Sequence, residues 1–181
     1  MTLIIGLQNR DQTVLLSDRR VTRDGRLVDD ESNKAAVFVC KNARVAVAFT
    51  GLAKAGAFQT SRWLSEALME SAPPDYLIEP TIVRLRERAT RALQGVRVTN
   101  QADKRLSILL AGYTYHETPP RCYYWFVSNF EDWKSPPRPE ASEEFMITSG
   151  REVRPSDQPF YSLFYGGAGV LLTCPGKFGP G

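Results

Sequence analysis

The sequence predicts an α+β fold, a sandwich of antiparallel sheets with its helices grouped together. Three observations carry this. The first fifty residues alternate short apolar runs with turn residues at hairpin spacing. From Leu52 to Gln94 the apolar spacing changes to that of helices. Strand-like runs resume at Leu106. An alternating strand–helix order would have indicated a parallel sheet instead. At 181 residues the chain has room for one domain, taken as 1–181.

The elements follow in order. Thr2 to Leu7 and Thr13 to Leu16 are apolar runs separated by the Asn9-Arg10-Asp11 turn. Asp24-Gly25 is a strong turn dipeptide. Ala35 to Cys40 and Val45 to Thr50 form a further pair around Lys41-Asn42. Leu52, Ala55, Phe58, Trp63, Leu64, Ala67 and Leu68 approximate one helical face, giving a helix over Leu52 to Met69 that Pro73-Pro74 ends. A second helix runs from Pro80 to Gln94, with Gly95 beyond its end and Ile82, Leu85, Ala89 and Leu93 as its buried stripe. Leu106 to Tyr113, Cys122 to Val127, Phe145 to Thr148 and Phe160 to Tyr165 read as strands. Ser135 to Pro139 reads as a loop, and the tail is too rich in glycine and proline for regular structure.

Composition narrows the function. Hydrophobic residues make up 43% and charged residues 24%, as in a globular protein. No apolar run reaches the ~18 residues of a membrane span, and the start is too soon polar for a secretory signal. The net charge of +3 is spread along the chain, weak support for nucleic-acid binding. Four arginines on the second helix (Arg84, Arg86, Arg88, Arg91) lack base-stacking aromatics and read as a solvated face. Cys40, Cys122 and Cys174 are far apart and form no CxxC, so neither a zinc site nor a disulfide framework is expected; a reducing, cytoplasmic compartment is. The single histidine, His116, lies beside a Pro-Pro turn and reads as a surface residue. Proton chemistry would have to use another group.

Thr2 offers one. Removal of Met1 would leave a hydroxyl and an amine on adjacent carbons, and an α-amine with a reference pKa of about 8 is partly neutral at pH 7. It can take the hydroxyl proton directly or through water. Such a nucleophile needs a nearby cation, which Lys34 can supply, and a carboxylate to hold that cation, which Asp18 can supply. It also needs a backbone N–H for the oxyanion; Gly51, expected where a strand turns into a helix, is a suitable donor. Asp18 directly follows Val14-Leu15-Leu16, and Lys34 directly precedes Ala35-Ala36-Val37-Phe38, so both are expected at strand ends in one mouth.

These residues carry a resemblance. Thr2-Leu3-Ile4-Ile5-Gly6, Ser17-Asp18-Arg19-Arg20-Val21-Thr22, Asn33-Lys34 and Ala48-Phe49-Thr50-Gly51 resemble the proteasome β-type subunits and their simpler bacterial relatives, in the N-terminal nucleophile hydrolase superfamily. The spacing from Thr2 to Asp18 to Lys34 agrees without gaps; Gly51 needs a small insertion at Lys41-Asn42. The likeness covers about residues 2–70 well and the second helix and the Leu106 strand more loosely. It implies an αββα sandwich and a threonine-type peptidase: Thr2 the nucleophile, Lys34 the cation, Asp18 its orienting partner, Gly51 the oxyanion donor, and Arg20 a buried structural arginine. It further implies that the backbone at Thr22 and Ala53 pairs with an extended substrate, and that Val21, Ser32, Phe49 and Ala53 line an uncharged specificity pocket. It implies no metal or cofactor, a peptide or unfolded-protein substrate, a homo-oligomer of rings or stacked rings, and neither nucleic acid nor membrane as partner.

The chain departs from the family's pattern in two places. The family's serine-containing glycine-rich turn matches Tyr165-Gly166-Gly167-Ala168-Gly169, which has no serine. The family's second helix layer is not found before Gly181, so a C-terminally truncated domain is expected. The residues therefore also admit an inactive structural subunit or truncated remnant, a small-amide hydrolase, and, on the arginine helix, a nucleic-acid module with steep salt dependence.

Overall fold

A computed structural model of the chain describes residues 4–8, 12–19, 21–23, 26–29, 32–116, 118–131, 137–151 and 162–166. Four hairpin-forming strands come first: β1 (Ile4–Gln8), β2 (Thr13–Ser17), β3 (Val21–Arg23) and β4 (Arg26–Asp29). Then follow β5 (Ala35–Val39), β6 (Ala43–Gly51), the two-residue strands β7 (Lys54–Ala55) and β8 (Phe58–Gln59), and helices α1 (Thr60–Ser71) and α2 (Ile78–Gln94). A short 3-10 turn at Gln101–Lys104 leads into β9 (Leu106–Thr114), β10 (Arg121–Ser128), β11 (Met146–Arg151) and β12 (Ser162–Gly166).

Antiparallel pairing builds a five-stranded sheet in the order β11-β10-β9-β6-β5 and a three-stranded sheet in the order β12-β1-β2. The α+β class and its antiparallel sheets therefore stand as the sequence predicts. One face of the larger sheet, with Val45, Val47, Ile108 and Leu110, packs against Leu64 and Leu68 of α1 and Ile82 and Leu85 of α2. Its other face, with Ala48, Leu109, Ala111 and Phe126, receives Ile4 from β1 and Leu15 from β2. The layers are thus helices, five strands, three strands. Period-2 alternation on β6 and period-3.6 spacing on α2 supply the apolar faces that these contacts bury. Among the described residues no helix covers the outer face of the three-stranded sheet, where Val14 is 37% and Leu16 55% exposed.

The first helix begins later than expected. Leu52, Ala55 and Phe58 do pack on the helix-facing core, but in a tight β7–β8 hairpin that turns through Gly56 at φ +57°. The Thr60 hydroxyl donates to the Leu52 carbonyl and the Thr60 N–H to the Ala53 carbonyl, so α1 starts at Thr60. The arginines of α2 are engaged within the chain. Arg84 donates to the Ser71 and Ala72 carbonyls at the end of α1 and pairs with Asp75 at 2.7 Å, and Arg88 pairs with Glu70. Arg84 thereby places positive charge where the α1 dipole is negative, a turn that holds no basic residue of its own. Among the described residues no helix is long and apolar enough to cross a membrane.

Candidate active site at one end of the sheet pair

β1 lies lengthwise over the larger sheet. Ile4 packs on Ala48, Leu109 and Phe126, whereas at the other end the Gln8 side-chain amide donates to the Gly112 carbonyl at 2.6 Å. One step beyond the Ala48–Leu109–Phe126 row, on the same face, stand the register partners Thr50, Ser107 and Ser128, all buried. Ser17 pairs with Ile4, so Asp18 leaves β2 at this end, partly buried. Lys34 leads into β5 at this end too: its carbonyl accepts the Phe49 N–H at 3.2 Å. Its side chain is only 1% exposed. The fold therefore brings Asp18, Lys34 and the Phe49–Gly51 segment to one end of the two sheets, as their strand-end positions predict.

Gly51 has a backbone only glycine adopts comfortably. Its φ is +98°, and a Cβ there would lie 2.0 Å from the Arg105 carbonyl oxygen. The ladder fixes where its N–H points. Phe49 N–H goes to Lys34 on the β5 side, Leu52 N–H goes to the Arg105 carbonyl at 2.8 Å on the β9 side, and successive N–H groups alternate. The Gly51 N–H is therefore turned toward the side from which Lys34 enters. The helix N-terminus expected beside Gly51 is not there, because the β7–β8 hairpin intervenes. Any oxyanion stabilisation at Gly51 is that of a single N–H, without a helix dipole.

Beside this turn lies a polar cluster that motif reading missed. Ser107 donates to Glu131 Oε1 at 2.7 Å, and the Ser107 and Ser128 hydroxyls are 2.6 Å apart. Ser128 Oγ also accepts the Phe130 and Glu131 N–H groups. Asn129 uses both ends of its amide: Oδ1 accepts the Leu106 N–H at 2.8 Å and Nδ2 donates to the Lys104 carbonyl at 3.0 Å. Burial pushes the Glu131 carboxyl up; the Ser107 bond and the Arg105 charge only partly offset it. The available signal was polar residues within otherwise apolar strand runs, since buried polar groups need partners.

The other expected residues fall as follows. Thr2 and Arg20 lie outside the described residues. Val21 and Thr22 lie in β3, with Thr22 paired to Leu27 and a register shift between Val21 and Thr22. Ser32 is partly buried just ahead of Lys34. Phe49 and Ala53 come together on the helix-facing core, but the Ala53 carbonyl already accepts the Thr60 N–H.

At the opposite end, His116 is more than a solitary surface residue. Its Nε2 lies 3.0 Å from Glu79 Oε1 and 2.8 Å from Asn42 Nδ2. The Asn42 Oδ1 accepts the Ile78 N–H at 2.9 Å and so caps α2 from outside the helix. Cys40 is near, but burial holds its thiol above the usual range; the Thr81 bond opposes this, and the Glu79 and Asp75 charges reinforce it. A protonated thiol is a poor nucleophile, which argues against cysteine chemistry here. Among the described residues no group of three or more His, Cys, Asp or Glu side chains is placed to hold a metal ion.

No protein-family model matches the chain, and neither a curated protein nor a solved structure matches it.

Proposed function

We propose that this chain is an N-terminal threonine hydrolase that cleaves peptide bonds, a proteasome-like subunit of the N-terminal nucleophile type working in a cytoplasmic homo-oligomer of rings or stacked rings. The observation that carries the reading is Lys34: a lysine buried to 1% exposure, at the end of the sheet pair to which β1 brings its N-terminal end. Burying a lysine side chain is costly unless its amine is partnered, which supports a role for Lys34 at this sheet mouth. In this reading the Thr2 amine takes the Thr2 hydroxyl proton and the oxygen attacks the peptide carbonyl. The Gly51 N–H stabilises the oxyanion. The leaving amine departs with a proton, and an ester to Thr2 remains. Water hydrolyses that ester and restores the hydroxyl. Asp18 orients Lys34, and Arg20 gives structural support. Val21, Ser32, Phe49 and Ala53 line the specificity pocket, and β3 at Thr22 presents backbone to an extended substrate.

The test is the intact mass of the purified protein before and after incubation with a peptide epoxyketone, which bridges a free α-amine and its adjacent hydroxyl. The expected result is loss of Met1 and one stoichiometric adduct that Thr2→Ala does not form. A second reading, an inactive structural subunit or remnant, is favoured by the absence of a serine in Tyr165-Gly166-Gly167-Ala168-Gly169. It predicts Met1 removal with no adduct.

A further inference from the structure

We propose that the Ser128–Glu131 corner is the positioning element of the candidate site, with Asn129 setting the Gly51 turn and the Ser128–Ser107–Glu131 row locking the strand beside it. The proposal rests on the threonine-hydrolase reading and deepens it. Lys104 and Leu106 flank Arg105, and Asn129 grips both: Nδ2 donates to the Lys104 carbonyl, Oδ1 accepts the Leu106 N–H, and the Asn129 N–H donates to the Leu106 carbonyl at 3.3 Å. The carbonyl between them, that of Arg105, receives the Leu52 N–H and fills the space where Gly51 would carry a Cβ. The Asn129 amide therefore fixes the surface against which Gly51 is seated. Its orientation is unambiguous, because only the oxygen can accept from Leu106 N–H and only the nitrogen can donate to the Lys104 carbonyl.

Proton counting gives the adjoining row a direction. Ser128 Oγ already accepts two N–H groups, from Phe130 at 3.2 Å and Glu131 at 3.1 Å. Both lone pairs being used, its own proton goes to Ser107 Oγ, and the Ser107 proton goes to Glu131 Oε1. The row ends on a carboxylate, which makes the last bond charge-assisted. Ser107 is the register partner of Thr50, the residue before Gly51. Simple packing does not require a partly buried carboxylate in this row, since apolar residues of the same shape serve a core as well or better. The same bonds are what a site needs if a single N–H must stay aimed without a helix to orient it.

The experiment uses the full chain and a peptide epoxyketone, with the rate of adduct formation by intact mass resolved into reagent binding and the bond-forming step. Ser107→Ala, Glu131→Gln and Asn129→Ala are compared with wild type, alongside the amide resonance of Gly51. For Ser107→Ala and Asn129→Ala the expected result is a bond-forming rate lowered about tenfold, half-saturation by reagent unchanged, and a displaced Gly51 amide signal. Glu131→Gln, which keeps an acceptor for Ser107, falls between them and wild type. If Asn129→Ala does not fold, Ser107→Ala decides. Bond-forming rates within twofold of wild type in the folded variants overturn the proposal and leave the threonine reading standing. Failure of wild type itself to form an adduct removes that reading, and this one with it.

Discussion

At the scale of single residues, Lys34 and Gly51 make opposite demands. Lys34 is the bulkiest of the fully buried side chains among the described residues. A buried cation contributes less to folding than an apolar side chain of similar volume. Removing it alone, however, takes the partner from the groups it is paired with, so Lys34→Met should lower stability in urea by about 1 to 3 kcal/mol. It should also lower epoxyketone adduct formation about a hundredfold or more, the range lost with an electrostatic stabiliser of the reacting oxygen. Unchanged adduct formation would make the lysine structural. Gly51→Ala tests the backbone. The new Cβ meets the Arg105 carbonyl at 2.0 Å in a left-handed conformation, so Leu52 must give up its bond or β9 must move. The expected loss is about 2 kcal/mol or more in urea. A loss near zero would mean that the turn is not held as described.

At the scale of elements, helix ends are completed by residues distant in sequence. The Ile78 N–H at the start of α2 is met by Asn42 from the β5–β6 turn, and the last carbonyls of α1 by Arg84 of α2. Asn42→Ala should cost about 1 kcal/mol, the usual worth of a cap, measured as a shift in the urea midpoint with unchanged slope. Neither partnership was legible, because cap reading is local and these caps are not. The α2 stripe was legible throughout: Ile82, Leu85, Ala89 and Leu93 are all buried. For α1 the buried positions were right and the period was wrong at the start, since residues three apart also suit a tight hairpin turning through Gly56. The same limit applies at the site. Asp18, Lys34 and Gly51 were legible because each sits at a strand end. Ser107, Ser128, Asn129 and Glu131 formed no motif, and only the pairing of β9 with β10 assembles them.

For the whole molecule, three carboxyls set opposing pH slopes. Asp75 is held below the usual carboxylate range, chiefly by its bond to Arg84. Glu79 is pushed up by burial, but its backbone bond, His116 and Asn42 outweigh this and hold it low as well. A lowered folded pKa means stability that is complete above the unfolded value, about 4 to 4.5, and is lost as pH falls through the folded one. Glu131 is shifted the other way by burial. Its contribution is complete below about 4.5 and is lost as pH rises through its folded pKa. The summed contribution of these three groups therefore peaks near pH 4.5, falling on the acid side through Asp75 and Glu79 and on the neutral side through Glu131. Urea unfolding across pH 3 to 8, on wild type and single variants, separates the limbs by difference. Glu131→Gln should remove the neutral-side decline and so be the more stable protein at pH 7, while Glu79→Gln should reduce only the acid-side loss. A Glu131→Gln curve parallel to wild type above pH 4.5 would show that this carboxyl carries no folding cost. Paired with the slower adduct formation expected of the same variant, a gain in stability at neutral pH would mark Glu131 as a group kept at the expense of folding, the signature of a site and not of a core.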